Sequence, residues 1–337
     1  MVNILPIASG KGGVGKSAIA VNLSILLAQK GKKVVLMDFD LGGANLHTLL
    51  GLKNNHAGLG NFIYKQESSL EPLMQPTNVP NLTFIAGDCL FPGTANMGYF
   101  IKRKLIKEIE SLDADYAVLD LGGGTTYNTL DIYLLTYNSL LVTSPELTSV
   151  LNAYSFLKAA AYRFLSRQFK AKSPERALIE NYIKSSQAGA ESSYVALVDE
   201  ICAQFPESGQ RARSELAKYR PQVILNMGKS SQDLEMARRL RSLVWNKLNI
   251  ALDFVGFTPR DNSIELAVAT RVPVALSSPQ NPFIKQLNAA AERIMLHTYQ
   301  YNENLEDTEV IPPGTNGNEA SETSDIEELN TEFSSLQ

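Results

Sequence analysis

Cysteine is scarce in this chain of 337 residues, which contains only Cys89 and Cys202 and no C-x-x-C pair. A disulfide framework and a zinc ribbon both need several closely spaced cysteines, so neither is expected. The three histidines, His47, His56 and His297, lie too far apart for the usual spacing of metal ligands. We therefore expect the fold to depend on a hydrophobic core.

Long apolar runs are missing as well. No stretch reaches 18 consecutive apolar residues, so the sequence does not predict a membrane-spanning helix. Residues 2–8 form a short apolar run without the positively charged region of a secretory signal, and we expect the protein to stay in the cytoplasm. The composition, 44% hydrophobic and 20% charged, is typical of a globular protein.

Positive charge is absent after Arg293, whereas ten acidic residues follow it. The preceding part holds all 31 basic residues and 25 of the 35 acidic ones, which gives that part a net charge of +6. Residues 302–337 are acidic and rich in Asn, Ser, Thr and Gly. Such a composition buries too little apolar surface to offset chain entropy, and it predicts a disordered acidic tail.

Short apolar runs alternate with helical patterns along residues 1–301, which we interpret as one domain. Strands are predicted over residues 2–8, 33–37, 82–85, 116–119, 140–143, 223–225 and 252–255, and helices over 17–30, 98–111, 147–168, 231–248 and 282–301. This alternation predicts an α/β fold with a doubly wound, mostly parallel sheet flanked by helices. Residues 165–221 break the pattern, and we expect them to form a helical insertion within the domain.

The first predicted strand leads into a glycine-rich segment, residues 10–17, with the sequence G-K-G-G-V-G-K-S. It fits the P-loop pattern G-x-x-x-x-G-K-[ST], in which backbone N–H groups and a helix N-terminus surround phosphates. In that pattern Lys16 reaches the β- and γ-phosphates, and the Ser17 hydroxyl binds Mg²⁺. The strand before the loop and the helix after it are the context that the motif requires.

Aspartates follow two further predicted strands. Asp38 and Asp40 directly follow the strand predicted at 33–37, and their D-x-D spacing puts both side chains on one face of an extended segment. Asp120 ends the strand at 116–119 and is followed by Gly122–Gly124, whose backbone is free to move toward a γ-phosphate. The carboxyl ends of parallel strands meet at one edge, so these acids are expected beside the phosphates.

The segments just described resemble the deviant Walker A family of MinD and ParA ATPases, whose signature is K-G-G-V-G-K-[ST]. The resemblance implies that Lys11 crosses a dimer interface and contacts the partner's nucleotide. It also implies that Asp40 orients or deprotonates the attacking water, and that Asp38 and Asp120 lie near Mg²⁺. The run L-G-G-G at residues 121–124 replaces the proline usual in MinD and resembles the FlhG-like branch.

The resemblance extends to the base-binding end of the nucleotide site. Asn226 matches the asparagine of the family that contacts adenine, although a turn is an alternative role for it. Residues 256–261 resemble G-x-x-P-x-D, which lines the base pocket, with Asp261 as an alternative helix cap. The implied ATP-binding residues are Gly10, Lys11, Gly12, Gly13, Val14, Gly15, Lys16, Ser17, Ala18, Asn226 and Pro259.

These observations predict an Mg²⁺-dependent ATPase that dimerises in ATP and positions a cellular assembly such as a flagellum, a division site or a chromosome. Lys11, Lys16 and Asp40 are the expected catalytic residues, and Ser17, Asp38 and Asp120 the expected metal residues. One alternative is a scaffold that binds nucleotide without hydrolysing it. The iron–sulfur carrier branch of the family is not favoured, because it needs a C-x-x-C pair.

Partners are less constrained by the sequence. Nonspecific DNA binding in the ParA manner is a second alternative, based on two basic runs: Arg163, Arg167, Lys170, Lys172 and Arg176, and Arg238, Arg239 and Arg241. The acidic tail has the wrong charge for an anionic membrane and does not support membrane binding. Ile326, Leu329 and Phe333 form a short apolar stripe that fits a partner's groove better than a lipid surface, and the absence of any role is the third alternative.

Overall fold

The computed structural model describes residues 2–40, 43–53, 56–87, 97–187 and 193–304, together with residues 326, 329 and 331. Its centre is a sheet of eight strands in the order β3-β4-β2-β5-β1-β6-β7-β8. All neighbouring strands are parallel except β3 and β4. The strands are β1 (Asn3–Ala8), β2 (Val34–Phe39), β3 (Gln75–Pro76), β4 (Leu82–Ile85), β5 (Tyr116–Leu121), β6 (Leu140–Thr143), β7 (Gln222–Gly228) and β8 (Asp253–Pro259).

Helices cover both faces of this sheet. They are α1 (Lys16–Gln29), α2 (Leu46–Leu49), α3 (Leu59–Ile63), α4 (Tyr99–Glu110), α5 (Tyr127–Tyr133), α6 (Leu147–Arg167), α7 (Pro174–Gln187), α8 (Tyr194–Gln204), α9 (Pro206–Ala217), α10 (Leu234–Leu248), α11 (Ser263–Thr270), α12 (Val274–Ser277) and α13 (Pro282–Asn304). The predicted doubly wound α/β fold is confirmed. Strands β2, β5 and β6 are buried along their whole length, because helices exclude water from both of their faces.

Two hydrophobic clusters fill the space between the sheet and the helices. The first, here called the α6 layer, contains the buried faces of α4, α5, α6, α8 and α10. The second, the α1 layer, contains α1, α12 and α13. Alternate residues of each strand enter opposite layers, as in β5, where Leu119 joins the α6 layer and Val118 the α1 layer.

The segment predicted as a helical insertion is helical. Helix α6 extends to Arg167, and α7, α8 and α9 follow it before β7. Side chains of α8, among them Leu197 and Ile201, are buried in the α6 layer. Phe164 stacks on Tyr219 with the ring centroids 5.2 Å apart. The added helices therefore share the core of the domain.

The predicted disordered tail lies mostly outside the described residues. Residues 302–304 form the end of α13. Of the remainder, residues 326, 329 and 331 are described and are helical. Ile326 and Leu329 are buried and belong to the α6 layer, whereas Phe333, the third residue of the predicted stripe, is outside the described residues.

A buried ion-pair network joins α4, α5 and α6. Asp131 of α5 accepts hydrogen bonds from Arg163 Nε at 2.7 Å and Nη2 at 2.9 Å, and also from Lys102 Nζ. Burial acts to raise the pKa of Asp131, but hydrogen bonds from Arg163 and Lys102 outweigh it and hold the pKa below its ordinary value. Helix α5 begins soon after Gly124, so this network anchors the segment that follows the glycine run.

Replacing Asp131 with asparagine is expected to lower the free energy of unfolding by about 2–3 kcal/mol, because the buried charges that pair with Asp131 would lose their counter-charge. The pKa of Asp131 is lower in the folded than in the unfolded protein. Its contribution to the free energy of unfolding is therefore complete above the ordinary carboxyl pKa, and it is lost as the pH falls through the pKa of the folded state. The difference in the free energy of unfolding between wild type and variant should therefore become smaller at acidic pH. Urea unfolding at several pH values measures it.

Asp199 provides the matched control, because it also pairs with an arginine, Arg213, but lies on the surface with its side chain 63% exposed. Asp199→Asn is expected to change the free energy of unfolding by less than about 1 kcal/mol. Equal effects of the two substitutions would contradict the structural role assigned to Asp131.

Candidate functional site

The loop between β1 and α1 has the backbone conformation of an anion-binding turn. Gly13 and Gly15 have φ of 82° and 84°, a region that side chains with a Cβ rarely adopt. Gly15 is also the N-cap residue of α1, and no side chain caps this helix end. The first N–H groups of α1 therefore have no partner within the helix, and together with the helix dipole they favour a bound anion.

Two glycines of the loop are required by close packing. A Cβ on Gly10 would lie 2.2 Å from the carbonyl oxygen of Asn152 in α6. A Cβ on Gly15 would lie 2.3 Å from Nδ2 of Asn226. The loop is thus held between α6 and the end of β7, which fixes its shape before any ligand binds.

Gly15→Ala is expected to weaken nucleotide binding at least tenfold, because the positive φ alone costs an alanine about 1–2 kcal/mol and the contact with Asn226 adds to this cost. Gly12 is the matched control, since a Cβ there would meet no atom within 4 Å. Gly12→Ala should bind nucleotide within about twofold of wild type. Titration of a fluorescent ATP analogue measures both affinities, and similar losses in the two variants would contradict this interpretation of the loop.

Lys16 and Ser17 both contact the aspartate at the end of β5. Lys16 Nζ lies 2.5 Å from Oδ1 of Asp120, and both side chains are buried. The Ser17 hydroxyl lies close enough to Asp120 to lower its pKa. Burial raises the pKa of Asp120, and the lysine and serine offset only part of this effect.

Asp38 lies directly beside Asp120, because β2 and β5 pair in a register that makes the two residues cross-strand neighbours. Its carboxylate accepts hydrogen bonds from the backbone N–H groups of Asp40, Asn45 and Leu46 at 3.0–3.1 Å. Burial, aided by the charge of Asp120, raises the pKa of Asp38 to about 7. Asp38 thus ties the segment after β2 to the edge of the sheet.

The Asp40 carboxylate faces the glycine run after β5. A Cβ on Gly122 would lie 3.2 Å from Oδ1 of Asp40, so the two segments are in close contact. Asp40 is only partly buried. It therefore lies where the segment after β2 meets the segment after β5, at the same edge of the sheet as the P-loop.

These residues suit a divalent cation. Asp38, Asp40 and Asp120 bring three carboxyl groups to an edge where Lys16 is the only cation in contact with them in the described residues. Within the described residues, no group of three or more His, Cys, Asp or Glu is arranged as a metal cage. Mg²⁺ usually takes several ligands from water and phosphate, and the Ser17 hydroxyl and the Asp120 carboxylate match the few protein ligands it needs.

Lys11, the lysine of the deviant motif, contacts the start of α6 in its own chain. Its Nζ lies 3.3 Å from Oγ1 of Thr148 and 3.5 Å from Oε2 of Glu146. The ion pair is exposed, so it is screened and contributes about 0–1 kcal/mol. Lys11 is therefore held only weakly and can be withdrawn from this position at low cost.

Asn226 connects the P-loop to the expected base pocket. Its Nδ2 donates to the Val14 carbonyl at 2.8 Å, and its Oδ1 accepts from Thr258 Oγ1 at 2.7 Å. Pro259 ends β8 next to Thr258, so both residues of the predicted adenine site lie at one corner. Asp261 accepts from the backbone N–H of Ser263 at 2.7 Å, but the N-cap residue of α11 is Asn262, so Asp261 lies one position before the cap.

The basic residues considered for DNA binding mostly contact their own chain. Arg163 pairs with Asp131, and Arg167 donates to the carbonyl groups of Asp131 and Leu134. In α10, Arg241 donates to the Leu252 carbonyl, whereas Arg238 and Arg239 form only weak, exposed pairs with Glu235. Arg163, Arg167 and Arg241 are therefore held by groups of their own chain, which disfavours a role for these three in binding a nucleic-acid backbone.

Several residues that shape the site were not identified from the sequence. Glu146, Thr148 and Asn152 come from the start of α6 and meet Lys11 and Gly10. Thr258 fixes the orientation of the Asn226 amide. Thr258 lies inside the run G-F-T-P-R-D and could have been singled out, whereas the start of α6 carries no local signal of a contact with the P-loop.

Comparison with known proteins adds independent evidence. A family model described as "ParA: NUBPL iron-transfer P-loop NTPase" matches residues 1–166. The septum site-determining protein MinD of Helicobacter pylori is 34% identical over 153 residues, which are 44% of this chain and 56% of that protein. A putative septum site-determining protein MinD of Emiliania huxleyi is 31% identical over 192 residues, 54% of this chain and 67% of that protein.

A solved structure of MinD complexed with Mg-ADP from Pyrococcus horikoshii has the same fold, with a TM-score of 0.58 at 20% identity over 89% of this chain and 99% of that one. The chain spans little more than half the length of the first curated relative. In the described part of the chain, no helix is long and apolar enough to cross a membrane. By its P-loop with the additional lysine, its strand-end aspartates and these relatives, the chain belongs to the MinD/ParA family of P-loop ATPases.

Proposed function

We propose that this protein is a cytoplasmic, Mg²⁺-dependent ATPase that dimerises in ATP and acts as a switch in positioning a cellular assembly. The observation that carries the proposal is the arrangement of Lys16, Ser17, Asp38 and Asp120 at the mouth of the P-loop. Lys16 is paired with Asp120 at 2.5 Å and is close to where phosphates would lie. Its ammonium group would move to the phosphates once a divalent cation balances Asp120.

Each residue then has a defined task. The N–H groups of the P-loop and of the first turn of α1 bind the phosphates, as they do at other helix N-termini. Ser17 would bind Mg²⁺ directly, and Asp120 would hold it through water. When bound, Mg²⁺ neutralises phosphate charge and thereby stabilises the transition state of phosphoryl transfer. Asn226 and Pro259 would contact the adenine base.

Asp40 would position the attacking water and accept its proton. Its contact with Gly122 places it where a movement of the glycine run toward a γ-phosphate would change its surroundings. The backbone bonds that Asp38 accepts from Asn45 and Leu46 would transmit the same change to α2. The protein surface around the site would therefore differ between the ATP-bound and the ADP-bound state, and a switch requires such a difference.

Lys11 would complete the site of a second subunit. Its weak contacts with Glu146 and Thr148 hold it at the surface of the chain, from which it can reach across an interface. A cation supplied by the partner subunit stabilises phosphate charge that one P-loop leaves exposed. The role in positioning is supported by the septum-site relatives.

The experiment that tests the proposal measures phosphate release by the purified full chain with ATP, with and without Mg²⁺, alongside its mass by light scattering. We expect Mg²⁺-dependent turnover and a shift from monomer to dimer in ATP. Nucleotide binding without turnover would instead support the scaffold alternative. Absence of both binding and turnover would contradict the proposal as a whole.

A further inference from the structure

Ile326 and Leu329 are buried although they lie in the acidic segment that follows α13. They are 2% and 0% exposed, and both belong to the α6 layer together with residues of α6 and α10. They are helical and three residues apart, which places them on one helix face. Thr331, also helical, is exposed, as expected two residues from Leu329.

The position of α13 makes this burial informative. Helix α13 belongs to the α1 layer on one face of the sheet, whereas Ile326 and Leu329 belong to the α6 layer on the other. Residues 305–325 connect the two, and 21 residues of chain span at most about 70 Å. That length is sufficient to pass round an edge of the sheet, and the tether keeps the segment at a millimolar effective concentration near the domain.

The chemistry of the segment matches such a site. Asp325, Glu327, Glu328 and Glu332 surround the two apolar residues in sequence, and no Lys or Arg is nearby. The part of the chain up to Arg293 carries a net charge of +6, so its charge is opposite to that of the segment. An acidic helix with one apolar stripe is therefore complementary to this protein and not to an anionic lipid surface.

We propose that the α6 layer carries a docking site for a short acidic amphipathic helix, and that the acidic segment of the same chain occupies it through Ile326 and Leu329. The occupant is held by two buried apolar side chains, which must offset the entropy lost when the segment and its connection become ordered. The docked state is therefore one that opens readily.

Hydrogen exchange of the full-length protein, followed by mass spectrometry, tests this docking. Leu329→Glu places a charge in the site, and amides of residues 326–331 should then exchange at least tenfold faster than in wild type. Leu296→Glu is the matched control, because the same change occurs at a leucine that is 60% exposed on α13. Exchange in residues 326–331 of this control should equal that of wild type.

A milder variant, Ile326→Ala, removes buried surface without adding charge and should give a smaller increase in exchange. Protection in wild type should not depend on protein concentration, and the mass without nucleotide should be that of a monomer. Exchange at the rate of an unstructured chain in wild type would overturn the proposal. Protection that grows with concentration together with a dimer mass would also overturn it, because the segment would then be docked on a second copy.

Discussion

Asp40→Ala is expected to reduce ATP turnover by about 10²–10⁴-fold at saturating ATP, which is the usual contribution of a group that positions and deprotonates water. ATP affinity should change by no more than about threefold. The reason is the location of Asp40: its carboxylate faces Gly122, and it makes no described contact with the P-loop residues that would bind the phosphates. Steady-state phosphate release and equilibrium nucleotide binding measure the two quantities separately.

Asp113→Ala is the matched control for this substitution. The Asp113 side chain is 95% exposed and pairs only with Lys33 among the described residues. The ATP turnover of Asp113→Ala should equal that of wild type. If Asp40→Ala retains wild-type turnover at saturating ATP, the assignment of Asp40 is wrong, and another residue or the substrate itself must orient the water.

Lys11→Ala is expected to abolish dimerisation in ATP. The prediction is best measured in a background in which Asp40→Ala prevents hydrolysis, so that ATP persists during light scattering. The Asp40→Ala protein should be a monomer without nucleotide and a dimer with ATP, whereas the double variant should remain a monomer in both conditions. The physical reason is that Lys11 gives up only a weak, exposed pair with Glu146 and gains a full phosphate charge across the interface.

Lys33→Ala tests whether dimerisation depends on a lysine at the position of Lys11 or is lost whenever one exposed positive charge is removed. Lys33 is also an exposed lysine with an acidic partner, but it immediately precedes β2, at the end of the sheet opposite to the phosphates. In the same background it should dimerise as the parent protein does. A constant mass in all samples, with and without ATP, would refute the role of Lys11 and the dimerisation switch together.

The sequence by itself determined the class of fold and the chemical type of the site. Apolar runs of three to seven residues alternate with helical patterns, and this local periodicity is enough to predict a parallel sheet flanked by helices. The P-loop is equally local, because a strand, a glycine-rich turn and a helix are contiguous in residues 3–29. Asp38, Asp40 and Asp120 were placed near the phosphates because parallel strands share one carboxyl edge.

The tertiary structure decided which of these elements meet. Only the pairing of β2 with β5 makes Asp38 and Asp120 neighbours, and only the fold brings Asn226 to Val14, 212 residues earlier in the chain. Among the elements that the sequence did not predict are very short ones, such as β3 with two residues and α12 with four. They are fixed by packing, because a segment this short has no periodicity of its own.

Ile326 and Leu329 show most clearly which properties the sequence determines and which depend on the tertiary structure. Their spacing predicted an apolar stripe and favoured a partner's groove over a membrane, but it did not identify the protein's own chain as the cover, since burial is not directional. Their place in the α6 layer assigns them to their own chain. Sequence determined which side chains seek burial, and the tertiary structure determined what covers them, because that depends on contacts between residues far apart in the chain.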